Sequence, residues 1–215
     1  VRLAKGELVA RMDADDAMHP LRLEKQVGFL QANPELDGVT TGAYLIDAED
    51  RPIALLPGRQ PSAQEVLARG GFLHPSLLAR KSWFEAHPYS LDYPRAEDRE
   101  LFVRTFKTSR LHVLSEPLYF YRWFGVPRGK TLRIGYRSER KVMWKYGPNL
   151  VGWGPSLRLI ALSFGKELLT WFLEWTHLEK GFQTRRAFQP LLEMDQREAL
   201  RTLKVIRETC VPGWD

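Results

Sequence analysis

Asp13-Ala14-Asp15-Asp16 stands directly after the apolar run Leu8-Val9-Ala10-Arg11-Met12. Alternate residues of an extended segment point the same way, so Asp13 and Asp15 can turn their carboxylates toward one cavity at the end of a buried strand. Oxygen ligands of this kind suit Mg²⁺ or Mn²⁺ held jointly by protein and a diphosphate. The bland alternative is a solvated acidic turn that caps the following helix, and Asp-X-Asp is frequent by chance. A second acidic pair, Glu97-Asp98, opens a helical stretch. Either acid can serve as a general base there, although the helix dipole alone also favours acids in a first turn. His74 lies in an apolar run, and Arg22 and Gln26 share one helix face at i, i+4, where they can brace the acidic turn or face solvent.

The elements that must position these groups alternate. After the acidic strand, Pro20 fits the first turn of a helix with Leu23, Val27 and Leu30 as its apolar face and Asn33-Pro34 as its stop. A strand follows over 38–46, then an acidic turn at 47–50 and a Pro/Gly/Gln-rich loop over 52–61. Ser62 with Glu65 three residues on predicts a capping box opening a short helix that Gly70-Gly71 ends. Residues 72–79 read as an edge or bulged strand because of Pro75. Residues 87–95 read as a loop and 96–108 as a helix, and 111–114 and 118–121 as two short strands. Gly147-Pro148 is expected to break the segment after 128, residues 157–175 form an almost wholly apolar helix, and 195–209 an amphipathic one.

The 215 residues, 44% apolar and 27% charged, suffice for a sizeable core and exclude a disordered or fibrous chain. The charge of +6 is uneven: residues 1–125 hold 16 basic and 17 acidic residues, and 126–215 hold 16 and 9. A uniformly basic nucleic-acid binder is not distributed like this, and no nucleic-acid partner is expected. The single cysteine, Cys210, excludes an internal disulfide and fits a reducing compartment. The opening Val1-Arg2-Leu3-Ala4-Lys5-Gly6-Glu7 reads as mid-domain material, so a missing N-terminal portion is expected.

The run from Gly6 through Asp16, with His19-Pro20-Leu21-Arg22-Leu23-Glu24-Lys25-Gln26, resembles the central stretch of family-2 glycosyltransferases. The resemblance continues through Phe72-Leu73-His74-Pro75-Ser76, Ala96-Glu97-Asp98-Arg99-Glu100-Leu101 and Glu116-Pro117-Leu118-Tyr119-Phe120-Tyr121-Arg122, in family order, and covers about residues 1–122. After Arg122 the sequence Trp123-Phe124-Gly125-Val126-Pro127 departs from it. The resemblance implies an α/β, GT-A-like fold: an incomplete mixed sheet flanked by helices, with a mainly helical C-terminal extension. Residues 1–125 would be the acceptor-side half of the GT-A domain, its N-terminal nucleotide-binding strands missing, and 126–215 a basic, aromatic-rich helical extension. It implies inverting transfer from a nucleotide-sugar donor to a polysaccharide or lipid-linked sugar acceptor. Asp15 would bind Mn²⁺ or Mg²⁺ on the donor phosphates and Asp13 the ribose or the metal's water shell. Asp98 would be the catalytic base, with Glu97 its competitor, and His74, Glu97 and Arg22 would lie toward acceptor or phosphate.

Two other readings fit parts of the chain. A haloacid-dehalogenase-like phosphatase also ends a strand in Asp-x-Asp, but wants Thr or Val where Ala17 stands. A non-catalytic module binding anionic membrane or nucleic acid would use Arg128, Lys130, Arg133, Arg137, Arg140, Lys141 and Lys145. Five of the seven tryptophans, Trp123, Trp144, Trp153, Trp171 and Trp175, adjoin these cations or the apolar helix. That combination suits an interfacial segment, and Lys166-Glu167 at mid-depth disfavours a spanning helix. The expected location is cytoplasmic, peripheral on the inner membrane face. Packing of 157–175 on the core or a second subunit is the competing expectation.

Overall fold

The computed structural model describes residues 1–124, 129–176 and 190–210. Its framework is a six-stranded mixed sheet made of β1 (Leu8–Ala10), β2 (Ala17–Met18), β3 (Gly38–Ile46), β4 (Pro52–Leu56), β5 (Leu78–Arg80) and β6 (Leu111–Arg122). The order is β1-β5-β3-β6-β2, with β4 also on β3. Only β3 and β6 run parallel, and the other pairs are antiparallel. β3 is buried along its whole length, which explains its unbroken apolar and small-residue sequence.

The two strands expected over 111–121 are one. The register against β3 jumps from Thr41↔Leu114 to Gly42↔Pro117, so Ser115 and Glu116 bulge out and the strand continues. Gly42 is required at that point, because a Cβ there would approach the Gly58 nitrogen to 2.7 Å. The loop expected over 52–61 begins instead as β4, with Pro52 at its first position, where a missing N–H is tolerated. The strand expected over 72–79 is a 3₁₀ turn, His74–Ser76, with β5 behind it, because Pro75 favours the turn.

Helices α1 (Arg22–Ala32), α2 (Ala63–Arg69), α3 (Lys81–Ala86) and α4 (Glu97–Thr105) flank the sheet. α2 begins on the expected capping box, with Ser62 and Glu65 bonded reciprocally. α3 has no counterpart among the sequence expectations. The main core joins Val66, Leu67, Leu77, Trp83, Leu101 and Phe102.

Helix α5 (Lys130–Val151) adds Val142 and Met143 to this same core. It runs through Gly147-Pro148 rather than breaking there. Pro148 stands in the last turn, and the Gly152 N–H closes on the Pro148 carbonyl at 3.1 Å. With φ at 90°, Gly152 turns the chain into α6 (Trp153–Thr176), which starts a turn before the expected Leu157 and lies along α5. Helix α7 (Glu193–Glu208) returns to the sheet through Ala199 and Leu203, which meet Tyr44, Ile46 and Phe120.

Candidate active site

The acidic turn is built between β1 and β2. The Arg11 N–H donates to the Leu77 carbonyl at 2.8 Å, continuing the β1–β5 edge one residue further. The Asp16 N–H then turns back to the Asp13 carbonyl at 3.3 Å, and the Asp13 N–H donates to the Tyr119 hydroxyl at 3.1 Å. Asp13 is half-buried and pairs with Arg11 at 2.9 Å, whereas Asp15 is exposed. Burial pushes the Asp16 carboxyl up, against the opposing pull of the Arg122 N–H, which donates to Asp16 Oδ1 at 2.7 Å.

Arg122 locks the turn from the end of β6. Its Nε donates to the Asp15 carbonyl at 2.7 Å, another nitrogen to the Asp47 carbonyl at 2.8 Å, and Nη2 pairs with Asp50. One guanidinium thus ties the acidic turn to the 47–50 turn. The Asp15 backbone is fixed while its carboxylate stays on the surface, an arrangement suited to meeting a ligand from solvent.

Arg22 lies beneath the turn, 0% exposed. Its Nε donates to Gln26 Oε1 at 2.9 Å and its Nη2 to the Arg11 carbonyl at 2.8 Å, and its guanidinium stands 5.0 Å from the Tyr119 ring centroid. Gln26 in turn donates to the carbonyls of Val39 and Ser76. The buried stripe of α1 is therefore Arg22, Gln26 and Leu30, and Leu23 is exposed. Carbonyls left by the strand ends need donors, and the long polar side chains supply them. Arg22 is a support of the acidic turn and not a surface for acceptor or phosphate, because no part of it reaches solvent. Desolvation lowers its pKa to about 10, which leaves it charged at neutral pH.

His74, 9% exposed, bonds the Tyr89 hydroxyl through Nε2 at 2.8 Å and has the Phe102 ring edge-on at 5.7 Å. Burial, with Arg11 nearby, pulls its imidazole down to about 3, so it is neutral and its partner is a side chain rather than a backbone carbonyl. Tyr89 is 38% exposed. Burial pushes its hydroxyl up, Arg11 pulls it down, and Asp98, Asp13 and Glu97 push it up further.

The second pair opens α4. Glu97 is exposed, and Asp98, half-buried, accepts the Arg99 N–H at 2.7 Å. Arg95 enters the turn before it at φ 64°, a left-handed conformation uncommon outside glycine, and Ala96 bonds back to the Tyr93 carbonyl at 2.9 Å. Arg99 is anchored to Glu139 of α5 at 2.9 Å, so α5 helps to orient this end of α4.

His74 meets Tyr89 directly, and Arg11 pairs with Asp13. Tyr89, Tyr119, Arg11 and Arg122 were not singled out from the sequence as site groups. The Tyr-Arg end of the last motif was the one signal pointing to Arg122. Among the described residues no group of three or more His, Cys, Asp or Glu side chains is placed to hold a metal ion. Asp15 and Asp13 fit a cation only as two ligands of a shared shell, the remainder coming from phosphate oxygens and water, which is how Mg²⁺ is commonly held.

Residues 1–91 match Glycosyl transferase family 2. The putative glycosyltransferase EpsE of Bacillus subtilis is 33% identical over 125 residues, 55% of this chain and 44% of that protein. The O-antigen biosynthesis glycosyltransferase WbnJ of Escherichia coli is 32% identical over 127 residues, 57% of this chain and 50% of that protein. The chain thus spans about half the length of the curated relatives it matches. A crystal structure of residues 1-349 of S. aureus TarS in complex with UDP superposes with a TM-score of 0.49 at 14% identity, covering 76% of this chain and 47% of that one.

Proposed function

We propose that this chain, whose residues 1–91 belong to Glycosyl transferase family 2, is the acceptor-side part of an enzyme that moves a sugar, with inversion, from a nucleotide-sugar to a polysaccharide or lipid-linked acceptor. The observations that support the reading are the family match over residues 1–91 and an acidic turn whose backbone Arg122 fixes while the Asp15 carboxylate stays exposed. Asp98 accepts the proton of the acceptor hydroxyl as that oxygen attacks the anomeric carbon. Glu97, more exposed, and the Tyr89 hydroxyl hold the acceptor's neighbouring hydroxyls. Neutral His74 keeps the Tyr89 ring in place without adding charge beside the phosphates. Asp15, with Asp13, would hold Mn²⁺ or Mg²⁺, which when bound neutralises charge on the departing nucleoside diphosphate. The name of the relative WbnJ supports a surface polysaccharide as the acceptor class. A peripheral place on the inner membrane face suits such an acceptor.

The phosphatase reading has no support beyond the Asp-x-Asp pattern, and the family match over 1–91 argues against it. The test uses the intact protein that contains this chain, screened for transfer from nucleotide-sugars with Mn²⁺. Asp98→Asn is expected to lower kcat by about 10²–10⁴, the usual worth of a positioned base, with little change in KM. Asp15→Ala is expected to abolish the metal dependence. Unchanged transfer in both variants overturns the assignment.

A further inference from the structure

Helix α6 divides its charges by sign. Its two acids, Glu167 and Glu174, turn inward to α5: Glu167 pairs with Arg140 at 2.5 Å and with Arg137 at 3.6 Å, and Glu174 pairs with Arg133. Its two cations, Arg158 and Lys166, are exposed. The same inward pairing consumes much of the basic cluster over 128–145, since Arg133 also covers the Trp171 ring and Arg140 the Phe164 ring. On α5 itself Lys130, Arg137, Lys141 and Lys145 stay exposed, and Arg128 lies outside the described residues.

The outward face of α6 is otherwise apolar. Trp153, Leu157, Leu162, Leu168, Phe172 and Trp175 are all exposed, Leu168 by 70% and Trp175 by 78%. They run the length of a 24-residue helix, about 36 Å at 1.5 Å per residue. A soluble surface seldom carries so large a contiguous apolar area unless it meets something. Among the described residues no helix is long and apolar enough to cross a membrane.

We infer that α6 lies flat in the interface of an anionic lipid bilayer, with its aromatic and leucine side chains in the acyl boundary and Arg158 and Lys166 on lipid phosphates. Charge complementarity selects this occupant: the face carries two cations, and both acids of the helix are hidden. A second copy of the chain would bring the same cations toward one another. Tryptophan on an otherwise leucine-rich face with basic residues beside it is the composition of an interfacial helix. The placement also orients the candidate site. α5 packs against both α6 and α4, so it links the bilayer-bound helix to the helix that opens with Glu97 and Asp98. This inference does not depend on the transfer reading, and its failure would leave that reading standing.

The test is flotation of the chain with vesicles of phosphatidylcholine alone and of phosphatidylcholine and phosphatidylglycerol in equal parts. Flotation is expected with the anionic vesicles only, declining as salt rises. Arg158→Gln with Lys166→Gln should weaken partitioning about thirtyfold, from the known attraction of two surface cations to anionic lipid. Leu168→Ser with Trp175→Ser should abolish it, circular dichroism showing both double variants folded. Absence of flotation by the unaltered chain overturns the inference, as does flotation that neither double variant changes. A dimer in analytical ultracentrifugation that Leu168→Ser with Trp175→Ser splits, without vesicle binding, assigns the face to a second copy and overturns it equally.

Discussion

Arginine is buried under the acidic turn and partly buried in the α5–α6 hairpin, and its partners differ. Under the acidic turn, Arg22 is met by carbonyls, an amide oxygen and an aromatic face, with no carboxylate among the bonds it donates. In the α5–α6 hairpin, Arg133 and Arg140 are met by Glu174 and Glu167. The sheet region uses a cation to hold backbone, and the Asp15 carboxylate of the turn stays on the surface. The hairpin spends its carboxylates to hold cations, which leaves only positive charge outside. The apolar surfaces differ as well: the sheet consumes its own between helices, and α6 keeps its own exposed. One region is organised to present acids to a small ligand, the other to present a cationic, apolar face to a large one.

The largest effect should come from Arg22. Arg22→Ala leaves the Arg11 carbonyl and Gln26 without their donors and opens a cavity, with an expected loss of about 3 kcal/mol in urea unfolding. Relief of the buried charge offsets part of the cost, but the orphaned acceptors outnumber it. Arg22→Lys should recover little, since one ammonium cannot reproduce the fork. A loss below about 1 kcal/mol would mean that the turn stands without this support.

His74 gives the sheet region a pH signature of its own. Its folded-state pKa of about 3 lies below the unfolded value near 6.5. The unfolded chain therefore binds the extra proton, and stability is complete above about pH 6.5 and falls as the pH drops toward 3. The slope approaches about 1.4 kcal/mol per pH unit, or about 3 kcal/mol lost by pH 4. His74→Gln should flatten that stretch, measured by urea titrations at about pH 7 and pH 4. The lowered carboxyls of Asp47, Asp50 and Glu65 add their own loss at lower pH in both proteins, because the unfolded chain binds their protons more readily than the folded one. An equal slope in the variant would show that His74 is free to ionise in the folded state.

Local chemistry made much of this legible in advance. Ser62 and Glu65 capped α2 as their spacing required, and the Asp-X-Asp turn stood at a strand end beside a helix. What the sequence could not disclose was set by partners distant along the chain. Arg22 and Gln26 joined Leu30 on the inner face of α1 because carbonyls 11 to 53 residues away needed donors; of the expected apolar face Val27 and Leu30 pack inward and Leu23 does not. Tyr89 entered the site from an irregular stretch with no periodicity to mark it, through a bond to His74 fifteen residues away. Local signals also misread α5, where Gly147-Pro148 looked like a break and proved to be the last turn of a helix whose middle is held in the core.

The hairpin's inward charges come next in size. Glu167→Gln leaves Arg140, itself mostly buried, without its carboxylate, and about 2 kcal/mol is expected, less than for a fully buried pair because water reaches the rim. The change should be local. Hydrogen exchange should quicken along α5 and α6 while the amides of β1, β3 and β5 keep their protection. Loss of protection in the sheet strands would show that hairpin and core unfold as one unit, and would narrow the contrast between the two regions.

The smallest effect is the most discriminating. Leu168→Ser with Trp175→Ser removes two large apolar side chains that are mostly exposed, so folding should change by no more than about 0.5 kcal/mol in urea unfolding. Leu101→Ala, at a fully buried position in the main core, should cost about 3 kcal/mol by the same measurement. Side chains of similar chemistry then differ in worth because one set is covered by this chain and the other is not. If the double variant lost 2 kcal/mol or more, the outer face of α6 would be packed by another part of the same polypeptide, and the asymmetry between sheet and hairpin would disappear.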